Sequence, residues 1–153
     1  MIRRVYPHSP YAQLGGYVHL PRLIDKARLH RRGLLVGYNY KTSGFDRHLL
    51  AFLGVDGDVF EAKANELSSD EQIWAWLCGA GLNRTPTEIQ VWNDAMVSQR
   101  PDTPAKQDRF NRLLHQMGGT LASGVHTYFD LIEFEERRAE FLARKAAQKK
   151  VPE

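Results

Sequence analysis

Three helix-start signals constrain this chain more than any other feature. Ser68 with Glu71, and Thr85 with Glu88, have the spacing of a capping box, in which a hydroxyl and a carboxylate satisfy each other's unpaired backbone amides. Thr103 before Pro104 repeats the threonine–proline start seen at Thr85 and Pro86, and proline suits a first turn because its missing N–H would be unpaired there anyway. Each signal precedes apolar residues at helical spacing: Ile73, Trp74 and Leu77; Ile89, Trp92 and Met96; Phe110, Leu113, Leu114 and Met117. Gly118 and Gly119 end the third run.

The same logic reaches both ends. A helix is expected from about Pro21, with Leu20, Leu23, Ile24 and Ala27 on its buried face and Gly33 after its end. Asp46 reads as the N-cap of a helix carrying Leu49, Leu50, Phe52 and Leu53 and stopped by Gly54. Asp56 or Asp58 caps a short helix that turns Val59 and Phe60 inward. A last helix runs from about Tyr128 or Leu131 into the 140s, with Leu131, Phe134, Arg138, Phe141 and Leu142 on one side. Residues 1–16 read as an irregular lead-in, broken by Pro7, Pro10, Gly15 and Gly16. The glycine-interrupted stretch 34–44 is a short strand or an extended loop, and a larger sheet would need 34–40 to pair with 124–132. The expected fold is mostly α: a compact single-domain bundle over 1–153 of about six helices, with at most a short strand element and a frayed basic tail at 145–153.

Composition narrows the function classes. With 153 residues, 42% of them hydrophobic and 25% charged, the chain can bury a core without staples. Cys78 is the only cysteine, which excludes an intrachain disulfide. Arg3 and Arg4 are followed by Tyr6, Pro7, His8, Ser9 and Pro10 instead of an apolar run, so no secretory signal is expected. No apolar stretch approaches the roughly 18 residues of a membrane helix. A cytoplasmic protein is the expectation. The net charge of +3 is mild, and its concentrations at Arg28–Arg32 and Arg144–Lys150 read as solvated helix ends, so no nucleic-acid partner is expected.

Several segments are familiar together. They are Gly16-Tyr17-Val18-His19-Leu20-Pro21-Arg22-Leu23-Ile24-Asp25-Lys26-Ala27-Arg28, then Phe45-Asp46-Arg47-His48-Leu49-Leu50-Ala51-Phe52-Leu53-Gly54, the pair Trp74 and Trp76, and Thr127-Tyr128-Phe129-Asp130-Leu131-Ile132-Glu133. In this order they resemble the bacterial family known as domain of unknown function 5069, over most of residues 14–137. The string from Leu20 to Arg28 is the most specific part. The family often has tryptophan where this chain has Tyr128. The resemblance implies a small helical bacterial protein and brings no activity with it.

The residues themselves leave two functional readings open. In the first, a pocket forms near the start of the first long helix, lined by Tyr17, His19, Arg22, Asp25, Tyr38, Asp46, His48 and Asp130. It takes a small polar or anionic molecule and acts on it, if at all, by acid–base chemistry without an organic cofactor. His19 and Asp25 are the candidate catalytic pair, and the other six are candidate ligand-binding residues. Asp25 is expected to be buried against Arg22, Arg28 or another cation, because a buried charge needs a partner. Three histidines each have an aspartate nearby in sequence: His19 with Asp25, His48 with Asp46, and His126 with Asp130. None has metal-ligand spacing, so no metal is expected. His19, just before Pro21, is expected to be neutral beside the positive end of the helix dipole. Cys78 reads as a small buried apolar residue. In the second reading the charged helix docks a protein partner or a second copy of the chain, and no chemistry occurs.

Overall fold

The computed structural model describes residues 6–149, and 63% of these residues are helical. Among the described residues there are eight α-helices, one 3-10 turn and one two-stranded hairpin. Internal contacts divide the chain into two compact units, with the division after Asn93.

The first unit opens with β1 (Gln13–Leu14) and β2 (Tyr17–Val18), antiparallel with Leu14 opposite Tyr17. The turn between them is Gly15-Gly16, both at positive φ (59° and 86°), which two-residue hairpin turns require. At Gly15 a Cβ would also overlap the Trp74 ring. This hairpin lies inside the stretch expected to be an irregular lead-in. A glycine pair is the standard signal for such a turn, but two-residue strands carry too little alternation to be read. The rest of the lead-in, residues 1–5, lies outside the described residues. Asn93 fastens the turn from the far end of the unit: its Nδ2 donates to Gly16 O (2.8 Å) and its Oδ1 accepts from Val18 N (3.2 Å).

Four helices and most of a fifth complete the unit: α1 (Leu20–Arg31), α2 (Gly44–Leu53), α3 (Gly57–Glu66), α4 (Asp70–Gly79) and α5 (Pro86–Val97). Residues 34–40 form no strand. Asp56 caps α3 as expected. The α4 box is Ser69 with Gln72, one residue later than Ser68 with Glu71; both pairs have the right spacing, and the sequence alone does not rank them. At α5, Thr85 and Glu88 exchange the expected pair of bonds. The core is Tyr17, Leu20, Leu23, Ile24 and Ala27 with Leu49, Leu50, Leu53, Phe60, Ala64, Ile73 and Leu77. Burial of each large side chain contributes about 1.5–3 kcal/mol. Trp74, Trp76 and Trp92 pack on this core from outside. Cys78 corrects the reading of it as buried: it lies on the exposed side of α4.

The second unit holds α6 (Pro104–Gln116), the 3-10 turn Leu121–Ser123, α7 (Tyr128–Glu136) and α8 (Arg138–Lys149). Thr103 caps α6 through Lys106 N. The expected last helix is two helices, because Arg137 leaves helical geometry (φ −137°, ψ 57°). Phe134 and Phe141 then meet edge-on at 5.3 Å, in a core shared with Phe110, Leu114, Val125 and Leu131. Leu142, expected on the same side, is exposed. The tail expected to fray from Lys145 is helical as far as Lys149, and its last residues, 150–153, lie outside the described residues. This break brings the count among the described residues to eight helices, slightly above the expected six or so.

Candidate functional site

Unusual chemistry collects where α1 begins. His19 is the N-cap of α1 and is held in the left-handed region (φ 69°, ψ −17°), which costs a non-glycine residue about 1–2 kcal/mol. Its N–H donates to Pro10 O (2.9 Å), and its carbonyl accepts the first helical bond from Leu23 N (2.9 Å). This twist turns the imidazole inward, and the residue is 1% exposed.

His19 faces Asp46, which is equally buried. Nε2 lies 2.6 Å from Asp46 Oδ1. Lys26, two turns along α1, donates from Nζ to both Asp46 oxygens (3.2 Å each) and to Asn39 O (2.9 Å). Lys41 N adds a further bond to Asp46 Oδ2 (3.1 Å). Asp46 is therefore not the cap of α2. The cap position belongs to Ser43, and Asp46 sits in the first turn, facing inward, where the helix dipole also favours a carboxylate.

The protonation states follow from this geometry. Burial opposes the Asp46 charge, but the His19 hydrogen bond and the Lys26 ammonium outweigh it, and its pKa is lowered. Burial is also the largest effect on His19, and it lowers the imidazole pKa despite Asp46. An ionised Asp46 can only accept, so neutral His19 carries its proton on Nε2 and is a proton acceptor at Nδ1. The expected neutral His19 is thus found, with burial as its main cause.

Two more α1 and loop residues belong here. Arg22, 2% exposed, donates from Nη1 to His8 O (3.1 Å). The Tyr38 ring lies under both cations, 5.8 Å from the Arg22 guanidinium and 6.0 Å from Lys26 Nζ. His19, Arg22 and Lys26 share one helical face at spacings of three and four, a stripe visible in the sequence although Lys26 was not among the candidate ligand-binding residues.

The remaining candidates sit elsewhere in the chemistry. Asp25 is part-buried and contacts neither Arg22 nor Arg28; its Oδ2 accepts from His8 N (2.8 Å) and meets His8 Nδ1. Arg28 instead pairs with Asp70 (3.0 Å). Arg22 and Asp25 are one turn apart on α1, but each side chain takes another partner: Arg22 donates to His8 O, Asp25 accepts from His8 N and Arg28 reaches Asp70, so the expected pairing does not form. Tyr17 is fully buried between Phe52 and Trp74, and its hydroxyl, whose pKa burial raises, has no hydrogen-bond partner. His48 is exposed, two residues beyond Asp46 and so on another face of α2. In the second unit, Asp130 and Glu133 are buried in α7; Arg144 bonds both (2.7 and 2.9 Å), and His126 N donates to Asp130 Oδ2 (3.1 Å). Among the described residues no three histidine, cysteine, aspartate or glutamate side chains converge as metal ligands.

Fold and cluster together define a small, mostly helical protein whose first helix begins at a buried histidine–aspartate–lysine cluster. The chain belongs to the family described as "Domain of unknown function (DUF5069)", whose profile matches residues 4–138 and so spans every residue of the cluster. No curated protein matches the chain. Among the described residues no helix is long and apolar enough to cross a membrane.

Proposed function

We propose that the start of α1 binds a small polar or anionic molecule and that His19 exchanges a proton with it, without an organic cofactor. The observation that carries this reading is the buried His19 Nε2–Asp46 Oδ1 hydrogen bond, with Lys26 holding Asp46 ionised. It has the logic of a base and its orienting carboxylate: Asp46 fixes the tautomer and Nδ1 is the acceptor. A purely structural role would be served as well by apolar packing, since a buried ion pair rarely stabilises more than its apolar replacement. The left-handed His19 adds a second cost of the kind that collects at functional sites. In this reading Arg22, Lys26 and Tyr38 receive the ligand's polar or anionic group, and Asp46 takes the role that sequence spacing assigned to Asp25. The protein works in the cytoplasm, consistent with an exposed, unpaired Cys78, and needs neither nucleic acid nor a membrane.

A thermal-shift screen of small carboxylates and phosphates tests the proposal, with Arg22→Ala and His19→Gln as controls. At least one anion is expected to stabilise the wild type and to do so less in Arg22→Ala. If no anion stabilises the wild type, or one does so equally in both variants, the site is not at α1. The second reading, docking of a protein partner or another copy, rests on the exposed Leu34 and Val36 after α1. It predicts a self-association or partner affinity lost in Val36→Glu.

A further inference from the structure

The second unit contains a cleft with a different chemistry. One helical stripe of α6, Lys106, Arg109, Phe110 and Leu113, faces Tyr128 and Leu131 of α7 across a half-open space of about 290 Å³. The spacings of three and four on α6, and of three on α7, put these side chains on facing sides. Phe110 and Leu131 are buried and form the apolar floor, and the Tyr128 ring meets Phe110 at 5.7 Å to complete one wall. Leu113 forms the other wall and is 37% exposed. The rim is cationic. Lys106 is tethered outward to Asp102 (2.9 Å). Arg109 is exposed and, among the described residues, its side chain makes no hydrogen bond, ion pair or ring contact, and the Tyr128 hydroxyl makes no hydrogen bond.

We propose that this cleft is a binding site for an amphipathic carboxylate, distinct from the histidine cluster of the first unit. The apolar body lies on Phe110 and Leu131 against Leu113, and the carboxylate meets the Arg109 guanidinium, whose planar fork matches it in two bonds. The Tyr128 hydroxyl donates a further bond. The volume is at the small end of ligand pockets and fits a medium-length alkyl chain or a single aromatic ring. Charge selects the occupant: a cation of the same length would meet the Arg109 guanidinium unfavourably, and a neutral alcohol would gain only the apolar contact. No proton or group transfer is involved.

Octanoate, octanol and octylamine are suitable probes, added below their aggregation limits and followed by calorimetry and by the methyl resonances of Leu113 and Leu131. The expected result is saturable octanoate binding that shifts both leucines, with weaker binding of octanol and octylamine. Arg109→Ala, an exposed position, should keep the wild-type melting temperature and weaken octanoate by about tenfold. Absence of saturable octanoate binding overturns the proposal, as does octylamine binding as tightly as octanoate or an unchanged affinity in Arg109→Ala. A sedimentation dimer that Leu113→Glu dissociates, in a protein that ignores octanoate, assigns the cleft to a second copy and overturns it equally.

Discussion

Replacing Asp46 by asparagine removes one charge at the centre of the cluster and almost no volume. Lys26 Nζ sits 3.2 Å from each carboxylate oxygen, a pair worth about 5 kcal/mol at the effective dielectric that suits protein sites. Part of that survives the change. Lys26 keeps its bond to Asn39 O, and the asparagine oxygen still accepts one bond, together recovering about 1–2 kcal/mol. The net loss is about 3–4 kcal/mol, within the range for stranding a buried charge. That is a large share of the roughly 5–15 kcal/mol that holds a domain folded. Urea unfolding followed by tryptophan fluorescence is the appropriate assay, because Trp74, Trp76 and Trp92 all lie in the first unit and report on it alone. The double variant Lys26→Met with Asp46→Asn should regain at least half of the loss, since it removes the stranded ammonium. A loss below about 1 kcal/mol in the single variant, or no recovery in the double, refutes the reasoning.

Two further outcomes follow from the same residues. The lowered pKa values of His19 and Asp46 both mean that the unfolded chain binds more protons than the folded one, so stability is lost as pH falls. The His19 contribution is complete above the unfolded value of about 6.5 and declines below it, and the Asp46 contribution begins to decline only below about 3.9. Urea midpoints should therefore fall between pH 7.5 and pH 5 in the wild type and much less in His19→Gln; equal slopes in the two proteins count against a neutral buried imidazole. Tyr17→Phe removes a buried hydroxyl that has no partner, so it should leave the melting temperature unchanged or raise it, by up to about 1 kcal/mol of stability. A clear loss in scanning calorimetry shows that the hydroxyl is bonded in solution.

What was legible in the sequence is what is decided within a few residues. Thr85 with Glu88, Thr103, Asp56 and the Gly54 stop act on their own backbone neighbourhood, and each works as its spacing implies. The pairing of charged groups is decided elsewhere. His19 and Asp46 lie 27 residues apart, and each had a closer candidate partner in sequence, Asp25 for one and His48 for the other. Helix geometry separates those near neighbours onto different faces. His8 looked like part of an irregular lead-in and carried no signal of its bond to Asp25. Lys26 was the recoverable omission, because its spacing from Arg22 and His19 already defined one stripe. The break at Arg137 had no glycine or proline to announce it, so one helical pattern ran through two helices.

Asn93 sets a timetable for the turn it fastens. Its amide reaches Gly16 and Val18 across 77 and 75 residues of chain. Contacts of such separation close late, since the intervening loop must be ordered first. During synthesis α1, α2 and the turn between β1 and β2 emerge long before Asn93 does. A half-made chain therefore carries His19, Lys26 and Asp46 but lacks the amide that holds the hairpin leading into the strained His19. Assembly of the cluster is tied to completion of the first unit, and a nascent fragment ending before α5 is an unfinished protein in chemistry as well as in length.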